Sequence, residues 1–207
     1  MNVFFKYRLK FSFDKRIINN RTLVLILEGE IFLQATALLI IDVQNRMFQR
    51  GASVYHDAKL LYNLKKLIAS AKSKHMPIFY IQHESKGLDL QRHSENWKLH
   101  PFLSVEKDDL VIQKTTPDSF YETTLEEHLH NKGIQNLLIA GIQTEVCIDT
   151  TCRSAHSKGF STHLIEDAHS TWDTPILKAS QMIQHHNYTL QWFANTISTD
   201  QFVDRLR

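Results

Sequence analysis

A chain of 207 residues with 43% hydrophobic and 22% charged side chains is long enough to bury a core without disulfides or metals, and too ordinary in composition for a disordered chain or a coiled coil. Its formal charge of +2 comes from 24 Lys/Arg against 22 Asp/Glu, and the basic excess is confined to residues 1–34, which hold six basic and three acidic side chains. The remainder lacks the net positive charge that favours nucleic-acid binding. A small-molecule partner is expected, with no nucleic acid and no membrane.

Residues 1–34 read as an N-terminal extension to a domain over 35–207. Five of the 12 Phe and none of the 12 His fall there, with no period of 2 or 3.6. The segment is either a flexible or edge-pairing arm or a start-site artefact: Glu28-Gly29-Glu30 is encodable by a purine-rich ribosome-binding stretch and Leu33 by an alternative start codon. Its longest apolar run, Leu23 to Leu27, is closed by Glu28 and Glu30 and is far short of the ~20 residues of a membrane span. Ala35-Thr36-Ala37 mimics a signal cleavage site but runs directly into a strand. The only two cysteines, Cys147 and Cys152, are badly placed for a mutual disulfide on one helix, so the expected compartment is cytoplasmic.

From residue 36 short apolar runs alternate with segments of helical period, the pattern of a parallel sheet covered by helices. Ala37 to Ile41 is too continuously apolar for a half-exposed strand. A helix follows at about 54–74, with Leu60, Leu61, Leu64, Leu67, Ile68 and Ala71 in its buried stripe, then a strand over Pro77 to Ile81. The polar stretch 83–108 is a long loop and a candidate pocket wall or lid. Leu110 to Ile112 forms the third strand, and a helix over about 122–131 stops at Gly133. The fourth strand, Leu137 to Ala140, ends at Gly141 and leads into a helix over about 145–158 with Thr144 as N-cap. A fifth strand near Thr162 to Ile165, a helix over about 174–187 and a sixth strand near Phe193 to Ile197 complete an α/β fold: three layers, doubly wound, with a mainly parallel sheet of about six strands.

Ligands of such folds bind beyond the carboxyl ends of the strands. Asp42 follows the first strand, Lys114 the third, and Cys147 lies in the first turn of the helix after the fourth. Taken singly, each has an ordinary structural explanation. Together, in context, they resemble the isochorismatase-like cysteine hydrolases over roughly 36–200. Thr36 to Asn45 resembles that family's opening strand with its Asp, Gln113 to Phe120 its lysine segment, and Gly141 to Cys147 its nucleophile loop. The resemblance implies an Asp42, Lys114, Cys147 triad in which Asp42 takes the thiol proton and later returns it to the leaving amine. It also implies a cis peptide before Gln143, in a loop where the backbone N–H groups of Gln143 and Cys147 form an oxyanion hole. A free thiol is only a few per cent ionised at neutral pH. A helix N-terminus and Lys114 are both expected to favour the thiolate.

The implied reaction is attack of Cys147 on an amide-like carbonyl, release of ammonia or an amine, and hydrolysis of the thioester. Isochorismatase-type vinyl ether hydrolysis and nicotinamidase activity are the alternatives within the family, and a non-catalytic or thiol-sensing protein is the alternative outside it. Phe48, Trp97, His169 and Trp172 are candidates for the substrate cleft. The nicotinamidase branch holds a metal, but Ile81-Gln82-His83-Glu84-Ser85 lacks its Asp-Trp-His-Pro signature, so neither metal nor cofactor is expected. His185 and His186 read as packing or interface residues, and Cys152 as packing. Absence of Gly-x-Gly-x-x-Gly argues against a dinucleotide site. The family analogy implies a homo-oligomer.

Overall fold

A computed structural model describes residues 35–206, apart from 86, 88, 107 and 108. The N-terminal extension lies outside the described residues. Six strands form one parallel sheet: β1 (Thr36–Ile41), β2 (Ile78–His83), β3 (Leu110–Lys114), β4 (Asn136–Ile142), β5 (Ser161–Ser170) and β6 (Asn195–Ile197). Their order is β3-β2-β1-β4-β5-β6, so the winding reverses between β1 and β4. A crevice opens at the carboxyl end of a sheet at such a reversal.

Alternation along β1 distributes the core. Leu38 and Ile40 face the stripe of α1 (Asp57–Ser73), whereas Leu39 and Ile41 face Leu125 and Leu129 of α2 (Leu125–Asn131) and Cys152 and Ala155 of α3 (Asp149–Ser157). All six β1 residues are buried, because helices cover both faces and leave no side for a polar alternation. Two further helices, α4 (Ala179–Thr189) and α5 (Thr199–Arg205), close the domain. Among the described residues no helix is long and apolar enough to cross a membrane.

The elements depart from expectation where side chains compete for backbone groups. Helix α4 starts at 179 rather than 174 because the Thr174 hydroxyl accepts from the N–H groups of Ile176 and Leu177, while Asp173 accepts from Ala179. Strand β5 runs five residues past Ile165, through a register shift that moves the pairing from Ile139 with Leu164 to Gly141 with His169. Helix α5 was not expected. Ser198 accepts from the Gln201 N–H and the Gln201 side chain answers to the Ser198 N–H, a capping box. The described part of the stretch 83–108 includes a short turn of helix at Pro101–Leu103 and contributes Gly87, Asp89 and Leu90 to a cavity wall.

Candidate active site

Parallel pairing sets Ile41 beside both Ile81 and Gly141, and His83 beside Lys114. The residues that follow these pairs therefore converge at the carboxyl end of the sheet. Asp42 turns the chain out of β1 with φ 52, a left-handed conformation that Asp tolerates better than most residues. Lys114 is the last residue of β3.

Cys147 comes from an unforeseen element. Residues Thr144–Ile148 form a π turn that continues into α3, where an α-helix was expected. The Gln143 carbonyl accepts from the N–H groups of Val146 and Ile148, each at 3.1 Å. The second bond spans five residues and passes over the N–H of Cys147. Gln143, not Thr144, is the N-cap, with no side-chain capping bond. The peptide Ile142–Gln143 is cis, in agreement with the family resemblance.

The three side chains meet in the interior. Lys114 Nζ lies 2.8 Å from Asp42 Oδ2 and donates to Cys147 Sγ at 3.2 Å. It also donates to the Thr116 carbonyl at 3.0 Å and lies 3.2 Å from His83 Nδ1. Burial works against the charge on Lys114, but Asp42 and Cys147 outweigh it and hold its pKa above the ordinary lysine value. His83 is pushed below the ordinary histidine value by burial and by Lys114, so the ring beside the ammonium is held neutral. Among the described residues, the second oxygen of Asp42, Oδ1, has no hydrogen-bond partner and is buried.

The influences expected to favour the thiolate are outweighed. The Cys147 thiol is pushed up to about 12 by burial first and the Asp42 carboxylate second, with Lys114 pulling the other way. The nucleophile therefore rests as a thiol beside a carboxylate that can take its proton. Lys114 favours the thiolate, as expected, but less than burial and Asp42 oppose it.

Asp42, His83 and Cys147 each bring a donor atom within 4.8 Å of the other two. The Lys114 ammonium touches all three side chains, so a cation held by the same donors would have to displace a positive charge already seated among them. The donor set does not fit a resident metal.

A cavity of about 710 Å³ opens onto this centre, lined by Asp42, His83, Gln143 and Cys147 together with Arg46, Asp89, Thr115 and apolar side chains. Of the four expected cleft residues only Trp172 lines it, held by donation from Nε1 to the Ala52 carbonyl at 2.8 Å. Phe48 instead packs on the core beside His100, with ring centroids 4.7 Å apart. Trp97 is buried with its ring against His93, while its carbonyl accepts from Gln44 Nε2 at 2.7 Å and Gln82 Nε2 at 2.8 Å. Gln44 also exchanges two bonds with the backbone of His83, tying β1, β2 and the 97 loop together. It carried no role in the sequence reading, because an amide after a strand looks like any solvated polar residue.

His169 also lies outside the cleft, since the pairing with Gly141 keeps it inside the sheet. Its ring bridges Thr144 Oγ1 and Asn187 Oδ1, each at 2.8 Å, and so braces the turn that carries Cys147. Burial lowers its pKa to about 4. The unfolded chain binds that proton near pH 6.5 and the folded protein only near pH 4, so this residue's contribution falls as pH drops through that window. The loss amounts to about 3 kcal/mol by pH 4. Urea unfolding between pH 7 and pH 4 is expected to show this loss, with His169→Gln giving a shallower pH slope from a lower starting stability. An unchanged slope would exclude His169 as its source.

Comparison with known proteins places the chain in a family. The isochorismatase domain matches residues 36–201. The Bacillus subtilis isochorismatase family protein YddQ is 30% identical over 166 residues, covering 78% of this chain and 92% of that protein. A streptothricin hydrolase from Streptomyces noursei is 30% identical over 140 residues, 67% of this chain but 51% of that enzyme. A crystal structure of an isochorismatase family protein superposes with a TM-score of 0.77 at 35% identity, covering 80% of this chain and 99% of that one. With the family matched along the whole sheet and the Asp42, Lys114 and Cys147 side chains gathered at its carboxyl end, the chain is a member of the isochorismatase family.

Proposed function

We propose that the protein is a cysteine-dependent amidohydrolase that cleaves a C–N bond of a small molecule through a thioester. The observation that carries this reading is the single ammonium, Lys114 Nζ, lying 2.8 Å from Asp42 and 3.2 Å from Cys147 Sγ at the cavity. Similarity to a streptothricin hydrolase supports hydrolysis as the reaction class. As Sγ attacks the carbonyl carbon, Asp42 takes the thiol proton, and Lys114 stabilises negative charge on both oxygen and sulfur. Backbone N–H groups of Gln143 and Cys147 serve the tetrahedral oxygen; the π turn supports this role by leaving the Cys147 N–H out of the bond to the Gln143 carbonyl. Collapse expels the amine, which receives its proton from Asp42. Water, deprotonated by the same carboxylate, then attacks the thioester; the acid departs, the C–S bond breaks, and Asp42 returns the proton to Cys147 Sγ.

A panel of small amides tests this directly. One of them is expected to give a burst of ammonia or amine and an acyl adduct on Cys147 by intact mass. Cys147→Ala should show neither. Stoichiometric thiol labelling without turnover on any amide would favour a sensor.

A further inference from the structure

We propose that Arg46 selects substrates bearing a carboxylate, or a comparable anionic group, in the same small molecule as the scissile amide. The inference deepens the amidohydrolase reading and rests on it for the word substrate. Arg46 lines the same cavity as Asp42 and Cys147 and is half-buried. Among the described residues its side chain has neither an ion pair nor a hydrogen bond. Of the carboxylates of the wall, Asp42 is paired with Lys114, while Asp89 accepts from the neutral Asn96 amide and keeps its charge.

The setting raises the effect of that charge. Met47, Ala52, Leu90, Pro117, Val146 and Trp172 make the rest of the wall largely apolar, so attraction between a guanidinium and a bound anion is screened less than at an open surface. The residue is also presented from a pinned backbone. It sits in the short helix Asn45–Phe48, where the N–H groups of Asn45 and Arg46 donate to the carbonyls of Lys98 and Asn96. A guanidinium fork fixed at its base is suited to paired bonds with a carboxylate. Residue 46 is two positions beyond the segment that ties β1 to β2, so one turn of chain links the proton acceptor at Asp42 to the anion-binding group.

Alkylation of Cys147 tests the inference without requiring turnover. Bromoacetyl-β-alanine and its neutral N-methylamide both react as Sγ displaces bromide, the thiol proton passing to Asp42; Cys152 is fully buried. The native protein is expected to react faster with the anionic reagent, and Arg46→Gln to lower the anionic-to-neutral rate ratio about tenfold. Arg46→Lys should retain part of the preference. An unchanged ratio in folded Arg46→Gln overturns the proposal. Should that variant fail to fold, protection of the native protein is read instead: succinate and glutarate should slow labelling by the neutral reagent and their diamides should not, and equal protection overturns the proposal. A protein that shows the ratio change but hydrolyses no amide sinks the amidohydrolase reading alone. Turnover with an unchanged ratio sinks only the assignment of Arg46.

Discussion

Lys114→Met is expected to lower kcat/KM by about 10³-fold or more and to lower the melting temperature by roughly 6–20 °C, two losses with one cause. The Lys114 side chain is fully buried and that of Asp42 nearly so, at 3% exposure. Methionine keeps the volume but removes the charge that faces Asp42 and Cys147. The carboxylate is then left in the interior with one oxygen already lacking a partner, a situation that costs about 3–5 kcal/mol when one member of a buried pair is deleted. The double variant with Asp42→Asn separates the two losses. Taking away the stranded carboxylate should restore most of the melting temperature and none of the activity. A Lys114→Met protein as stable as its parent would mean that the Asp42 carboxyl is protonated there, and activity would then be lost through the missing charge alone.

Much of this centre was legible because its chemistry sits at strand ends. Asp42 and Lys114 each close an apolar run, and parallel pairing then brings such ends together. The layers were legible for the same reason, since only strands covered on both faces read as continuously apolar. What escaped depended on relations between distant segments. His169 and Trp97 look like cleft residues in a list of polar and aromatic positions, yet pairing with Gly141 turns one into the sheet and the hydrogen bonds of Gln44 and Gln82 anchor the backbone of the other. The thiol was misjudged because a helix end and a cation are visible locally, whereas its burial beside Asp42 exists only once the chain is folded. Helix α5 is different. Its capping box at Ser198 and Gln201 lies within the sequence itself, but the helix is only seven residues long and no helix was expected there.

Gly141→Ala is expected to cost more than about 4 kcal/mol, enough to leave the protein largely insoluble or to lower its melting temperature by about 10 °C or more, and to abolish activity in whatever remains folded. At this position φ is +127, and an added Cβ would lie 2.1 Å from the carbonyl oxygen of Ile41 and 2.6 Å from its nitrogen. Both are backbone atoms of β1, so no side-chain rotation relieves the contact. Either β4 moves away from β1 or its register with Ile41 is lost. Asp42 is the next residue of one strand, and the Gln143 to Cys147 turn follows directly from the other. Displacement of either therefore separates the carboxylate from the thiol. Gly159→Ala supplies the contrast: with φ +88 but nothing within 4 Å of the added carbon, it meets conformational strain alone, at about 1 kcal/mol. Thermal unfolding of the two variants side by side checks the argument. Equal shifts would show that backbone conformation, and not the approach of β4 to β1, makes glycine necessary at 141.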